Sequence, residues 1–166
     1  MPPDPTEPIF AIENVLASEE DAIAAYKIAV LRARAISDIR RCGEFLRMHE
    51  HAARDLSRVR ARLLAKEGTW GAPWAPRTRL PAGTAQRIGA LNDEEGMFEV
   101  LSSAEGAHAK KLAALVADPE NRLPRDVQAL LERIAAEAGH RRTWLNERAS
   151  GTCAPAAIGT RIAARA

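Results

Sequence analysis

Four stretches of the chain repeat apolar residues at spacings of three and four, the period of an amphipathic helix. The first helix is predicted to begin at Ile12, or at Ser18, where Asp21 three residues on completes the pattern of a capping box. A tight turn at Ala35 separates it from a second helix, which ends at Gly68. The first half of the chain is therefore predicted to be a helical hairpin.

A second pair of helices follows after a long interruption. The stretch from Thr69 to Gly83 is rich in Gly and Pro and is predicted to be a crossover connection, pinned to the helices by Trp70 and Trp74. A short helical piece over residues 84–91 precedes a third helix that starts after Asn92, and the breaker segment DPENRLP separates the third helix from a fourth. This order predicts an all-α fold, an antiparallel four-helix bundle with its long crossover between helices two and three.

The two ends of the chain lack this periodicity. Residues 1–11 are rich in proline and are predicted to be a disordered lead-in, residues 12–150 the bundle, and residues 151–166 a flexible tail. The length of 166 residues suits one domain, and a composition of 46% hydrophobic but only 4% aromatic residues favours helices over strands. We therefore expect a single helical domain between two irregular ends.

The charge and cysteine content exclude several classes of function. Lys and Arg total 24 against 22 Asp and Glu, a balance of +2, so no nucleic-acid partner is predicted. The sequence has no apolar run of membrane-spanning length and no secretory signal, so we expect no membrane association and a cytoplasmic location. Cys42 and Cys153 do not suggest a disulfide framework. No triad of hydrolases, phosphate loop or zinc-binding cysteine pair is present.

Carboxylate and imidazole side chains interrupt the apolar stripes of all four predicted helices. A carboxylate taken into a protein interior costs several kcal/mol unless it is paired, protonated or bound to a metal. The candidates on the inner faces are Glu19 in the first helix, His49 in the second, Glu105 and His108 in the third, and Glu137 in the fourth. These side chains point either to a metal site or to a network of buried polar partners.

Two of these carboxylates begin the same short motif. Glu105 with His108 and Glu137 with His140 both have Glu-x-x-His spacing, which places an oxygen and a nitrogen one turn apart on one helix surface. Around a turn at residues 118–124 the two carboxylates are expected to lie level, where a divalent cation would relieve their repulsion. The glycine inside each motif is expected to leave room close to the backbone.

Helices with an inward Glu on the first and third and Glu-x-x-His on the fourth resemble the ferritin-like superfamily of di-iron carboxylate proteins, including bacterial ferritin-like families of unassigned function. The resemblance spans about Ser18 to Arg148, and Glu19 followed by Tyr26 resembles the first-helix pair of ferritins and bacterioferritins. It implies iron as cofactor, di-iron or mononuclear, and a ferroxidase-like or di-iron oxidase activity in iron oxidation, storage or oxidative stress. Glu19 and Glu105 would then be iron ligands together with the helix-four pair.

The second helix departs from the ferritin-like pattern. That pattern has Glu-x-x-His in this helix, whereas Leu46 stands three residues before His49. Glu50 or His108 is the available substitute for the missing carboxylate. The full set of candidate metal ligands is therefore Glu19, His49, Glu50, Glu105, His108, Glu137 and His140.

Other interpretations of the same residues remain open. The polar residues could instead pair with Arg47, with Arg141, which lies one turn after Glu137, or with one another. The protein would then be a non-enzymatic structural or protein-interaction module with a degenerate metal site. We also expect a homo-oligomer, as is usual for small helical proteins of this kind. The tail around Ile158 and Ile162 is faintly similar to the peptides that load ferritin-like cargo into encapsulin shells, which makes such a shell a candidate partner.

Overall fold

A computed structural model of the chain describes residues 7–66 and 83–151. These residues form helices and short turns, without a strand, so the predicted all-α class is confirmed for the described part. None of the helices in these two ranges is both long and apolar enough to cross a membrane. The helices are α1 Glu7–Arg32, α2 Ile36–Lys66, α3 Thr84–Gly89, α4 Glu94–Ala117 and α5 Arg125–Ala149, with one 3-10 turn at Pro119–Asn121 between α4 and α5.

The start of α1 differs from both predicted positions. The helix begins at Glu7, inside the segment predicted to be a disordered lead-in. Ser18 lies within the helix, and its hydroxyl donates to the carbonyl of Asn14 at 3.1 Å instead of capping a terminus. The carboxylate of Asp21 accepts the backbone N–H of Thr84 at 3.0 Å, so it satisfies the first turn of α3. The predicted capping box is therefore wrong, because its acidic residue serves another helix.

The other described boundaries lie close to the prediction. The turn at Ala35 separates α1 from α2, and α3 occupies most of the predicted short helix. Helix α4 is capped by Asp93, which accepts the N–H of Gly96 at 2.9 Å, one residue after the predicted Asn92. Most of the predicted crossover, including Trp70 and Trp74, lies outside the described residues, as does the tail after residue 151.

The long helices pack in two pairs, α1 with α2 and α4 with α5, while α3 lies on α1 and also touches α4. Two apolar clusters form the core, and α1, α2, α4 and α5 each contribute to both. The first includes Tyr26, Phe45, Ile88, Phe98, Leu101 and Leu145. The second includes Ile12, Leu56, Leu112, Val127, Leu131 and Ile134. Along each long helix, at least one buried polar residue stands in sequence between its contributions to the two clusters, which defines a polar layer inside the core.

The buried stripe of α5 differs from the predicted one. It consists of Val127, Leu131, Ile134, Ala138, Arg141 and Leu145. Glu137 lies at the edge of the packed face with 29% of its side chain exposed, and His140 is exposed. The spacing of apolar residues in the sequence predicts a different inner stripe, which is Leu123, Val127, Leu130, Ile134, Glu137, Arg141 and Trp144. The two stripes share Val127, Ile134 and Arg141, so the spacing alone does not distinguish them. The helix is rotated enough to bring Ala138 inward and Glu137 outward.

Candidate functional site

Five side chains from four helices meet in the polar layer, and we call them the polar cluster: Glu19 of α1, His49 of α2, Glu105 and His108 of α4, and Arg141 of α5. Their exposed fractions are 3% or less, except for His108, whose side chain is 10% exposed. The structure thus brings four of the seven predicted metal ligands together. It adds an arginine that the sequence had placed on the inner stripe but paired with Glu137.

Glu19 is held by both histidines of the cluster. Its Oε2 lies 2.5 Å from Nδ1 of His49, and its Oε1 lies 2.6 Å from Nε2 of His108. Burial raises the pKa of Glu19, but the hydrogen bonds from His108 and His49 outweigh it and bring the pKa down to about 2. Glu19 is therefore an ionised carboxylate in the core.

Glu105 is the most heavily bonded group in the layer. Its Oε1 accepts from the Tyr26 hydroxyl at 2.7 Å, from His49 Nε2 at 2.9 Å and from Arg141 Nε at 2.8 Å. A second nitrogen of Arg141 donates to Oε2 at 3.0 Å, which completes a two-point contact. Burial raises the pKa of Glu105, but the hydrogen bond from His49 and the charge of Arg141 lower it to about 2. Burial and the adjacent carboxylate raise the pKa of Tyr26, so its hydroxyl keeps its proton.

The protonation state of His49 follows from its two partners. Its ring nitrogens each face a carboxylate, Glu19 on one side and Glu105 on the other, and an ionised carboxylate can only accept. Both nitrogens must therefore carry protons, which makes the ring a cation. Burial lowers the pKa of His49, but the hydrogen bonds to Glu105 and Glu19 outweigh it and raise the pKa. The ring also stacks on Tyr26 at 5.2 Å between centroids, an arrangement that suits a cation.

With His49 protonated, the charges of the polar cluster balance. The two carboxylates, Glu19 and Glu105, face two cations, His49 and Arg141. His108 donates from Nε2 to Glu19, and its Nδ1 is buried with no hydrogen-bond partner among the described residues. A neutral ring with its proton on Nε2 fits this arrangement, because the bare Nδ1 is then an acceptor and not a stranded N–H.

The other three predicted ligands are not joined to the cluster. Within the two described ranges, no hydrogen bond or ion pair connects Glu50 or His140 to it, and Glu137 reaches only Arg141, at 4.0 Å.

The glycines of the two Glu-x-x-His motifs also differ from expectation. A Cβ on Gly106 would meet the side chain of Arg142 at 3.0 Å, whereas one on Gly139 would meet nothing within 4 Å. The room near the first glycine is filled by an arginine of the chain itself.

The donor set does not fit two metal ions. Among the described residues, no group of three or more His, Cys, Asp and Glu side chains is arranged to hold a metal ion. Both oxygens of Glu105, one of the expected iron ligands, are bound to the guanidinium of Arg141. Arg141 cannot give up its charge, so a cation already stands where helix α5 would supply metal ligands.

One feature of the sequence indicated that Arg141 would be buried. Arg141 is the polar residue that belongs to both possible stripes of α5, so it is buried whichever stripe faces the core.

Comparison of the chain with protein-family models, with curated proteins and with solved structures gave no match. The function is therefore inferred from the geometry of the described residues.

Proposed function

We propose that this protein is a four-helix bundle of ferritin-like layout that acts as a non-enzymatic structural or interaction module. In this proposal Arg141 and protonated His49 supply the positive charge that metal ions supply in di-iron proteins. The observation that carries the proposal is the two-point contact between Arg141 and Glu105, at 2.8 and 3.0 Å, between side chains that are 1% and 3% exposed.

The layout is supported by the helix pairs and the polar layer. Helices α1 and α2 form one pair and α4 and α5 the other, and the chain between Lys66 and Thr84 is long enough to cross between them. Each pair places polar groups midway along its length, as the sequence resemblance implies. The layer itself contains fixed cations instead of a complete set of metal ligands.

Electrostatics explain why this arrangement disfavours iron. A divalent ion beside Glu105 would meet the fixed charge of Arg141 and the charge of His49. To bind, it would have to separate Glu105 from Arg141 and leave a guanidinium buried without a partner, which costs several kcal/mol. The internal ion pairs are therefore expected to exclude a second cation.

A second candidate function, the binding of a single iron ion, is favoured by one observation. The two oxygens of Glu19 contact Nδ1 of His49 and Nε2 of His108 at 2.5 and 2.6 Å. Two histidines and one carboxylate make up a common ligand set for mononuclear non-haem iron. This alternative requires His49 to lose its Nδ1 proton and His108 to move its proton from Nε2 to Nδ1. It also requires the three side chains to move apart, because they contact one another directly and are not arranged to hold a metal ion as they stand.

Iron retention separates the two candidates. The full chain, purified without chelator, is mixed with ferrous iron in air and desalted, and bound iron and near-ultraviolet absorbance are measured. We expect less than about a tenth of an equivalent of retained iron. The variant Arg141→His removes the fixed charge and keeps a nitrogen donor, so it should retain more iron than the wild type. A full equivalent bound by the wild type and lost in Glu19→Gln would establish the iron alternative and refute the proposal.

A further inference from the structure

A cavity of about 500 Å³ lies beside the polar cluster. It is lined by residues of α1, α2, α3 and α4 and by Gly83, which precedes α3. Its volume falls within the range of about 300–1,000 Å³ that is typical of small-molecule sites. Nothing in the proposed function uses this space.

The walls of the cavity divide into an apolar and a polar part. The accessible apolar part is supplied by Ala22, Ala104 and Ala107, whereas Ala25 and Leu101 also belong to the lining but are 0% and 1% exposed. The polar part includes four side chains that already hold hydrogen bonds within the core: Tyr26, His49, Glu105 and His108. Because these groups satisfy one another and their charges balance within the cluster, they contribute little net charge to the cavity.

The remaining charged groups of the lining are Asp21, Arg87 and Lys111. Asp21 is engaged, since its carboxylate accepts the N–H of Thr84 at 3.0 Å. Arg87 and Lys111 are exposed, so they lie where the cavity meets solvent, and neither forms an ion pair with another described residue. The lining thus carries one more positive than negative charge, and the two cations at the opening have no ion-pair partner among residues 7–66 and 83–151.

We propose that this cavity binds a small organic anion. Its acidic group pairs with Arg87 and Lys111 at the opening, and its apolar body lies along the accessible lining residues Ala22, Ala104 and Ala107. A cationic ligand is disfavoured by both charges at the opening. A neutral apolar ligand would leave the two cations unused, so the acidic group is the feature that should set affinity.

A pair of matched fluorescent probes tests this inference on the full chain. The anionic probe is 1-anilinonaphthalene-8-sulfonate, and N-phenyl-1-naphthylamine is the same ring system without the acidic group. We expect saturable binding of the anionic probe to one site, at least ten-fold weaker binding of the neutral probe, and weaker anion binding at higher salt, because the contacts at the opening are exposed. Equal affinity for the two probes, or no saturable binding, would overturn the inference.

Variants locate the binding to this cavity. The double change Arg87→Gln with Lys111→Gln should weaken binding of the anionic probe at least ten-fold. Lys110→Gln, at an exposed neighbouring position outside the lining, should leave that affinity unchanged. Ala107→Phe, at an exposed lining position, should weaken both probes, and Ala113→Phe on the same helix should weaken neither. Equal binding by the double variant and the wild type would refute the site.

This inference rests on the charge balance of the polar cluster, but its failure is distinguishable from failure of the proposed function. If the full chain binds neither the anionic probe nor iron, the cavity proposal is overturned and the proposed function stands. Each variant is checked for an unchanged helical circular dichroism spectrum and melting temperature before titration, and only variants that pass are compared.

Discussion

Arg141 of α5 donates two hydrogen bonds to the carboxylate of Glu105 on α4, at 2.8 and 3.0 Å, in a layer between two apolar clusters. The pair favours one register of the two helices, since a shift of one turn would separate the buried guanidinium of Arg141 from the carboxylate of Glu105. A buried ion pair adds little net stability over an apolar pair of the same size, but the loss of one partner is costly. The consequences of this contact are therefore clearest in single substitutions.

Replacement of Arg141 by Met should destabilise the protein strongly. The change keeps most of the side-chain volume but leaves Glu105 facing only His49 and Tyr26, and we expect a loss of about 3–5 kcal/mol in the free energy of unfolding. Urea denaturation followed by circular dichroism measures it. The matched control is Arg142→Met at the exposed neighbouring position, which should change stability by no more than about 0.5 kcal/mol. Equal losses in the two variants would contradict the account.

The two Glu-x-x-His carboxylates should differ sharply, although the sequence made them equivalent. Glu105→Gln removes the charge that holds Arg141 and His49, so it should cost about 3 kcal/mol or more. Glu137→Gln affects a side chain that is 29% exposed and 4.0 Å from Arg141, so it should cost about 0.5 kcal/mol or less. The same urea experiment compares the two variants. A larger loss of stability in Glu137→Gln than in Glu105→Gln would support the predicted stripe of α5, in which Glu137 faces the core.

Stability should fall on both sides of an intermediate pH. Glu19 and Glu105 have pKa values of about 2 when folded against 4.5 as free groups, so their contribution is present above about pH 4.5 and is lost as pH falls towards 2. The pKa of His49 is raised above 6.5, so its contribution is present below that value and is lost as pH rises through the folded pKa.

Urea midpoints across a pH series test this profile. His49→Gln should remove the alkaline decline, whereas His51→Gln, at an exposed position of the same helix, should retain it. If the loss of stability at alkaline pH persists in His49→Gln, it comes from another titratable group.

The close approach of Asp21 to the start of α3 gives a prediction about two glycines. A Cβ on Gly83 would overlap an oxygen of the Asp21 side chain, so Gly83→Ala must displace the carboxylate that caps α3 and should lower the melting temperature. A Cβ on Gly139 meets nothing within 4 Å, so Gly139→Ala should stabilise α5 by about 0.5–1 kcal/mol. Thermal melts that show the same sign for both variants would contradict this contrast.

The spacing of apolar residues was enough to predict which polar side chains enter the core on three helices. Glu19, His49 and Glu105 stand between apolar neighbours on the same face, and all three are buried. On α5 two overlapping stripes were equally apolar, so the spacing could not decide between Glu137 and Ala138. In the structure Ala138 is buried on the same face as Arg141, which bonds to Glu105 of α4.

Contacts between helices were harder to predict than positions along them. Placing Glu105 level with Glu137 assumed symmetric distances from the turn, whereas the pairing partner is Arg141, four residues further along α5. The role of Asp21 was missed for a related reason, since its partner Thr84 lies beyond a long connection. Axial offsets between helices depend on side-chain packing and loop geometry, which local periodicity does not encode.

We propose that internal cations, and not a metal ion, complete the polar cluster, and this proposal depends on the protonation state of His49. Nitrogen-15 NMR of histidine-labelled protein at pH 7, with His49→Gln as the assignment control, reports both ring nitrogens. Both should resonate as protonated imidazolium nitrogens and should not move when diamagnetic zinc is added. A bare Nδ1 in the metal-free protein, or a shift of His49 and His108 together on addition of zinc, would contradict it.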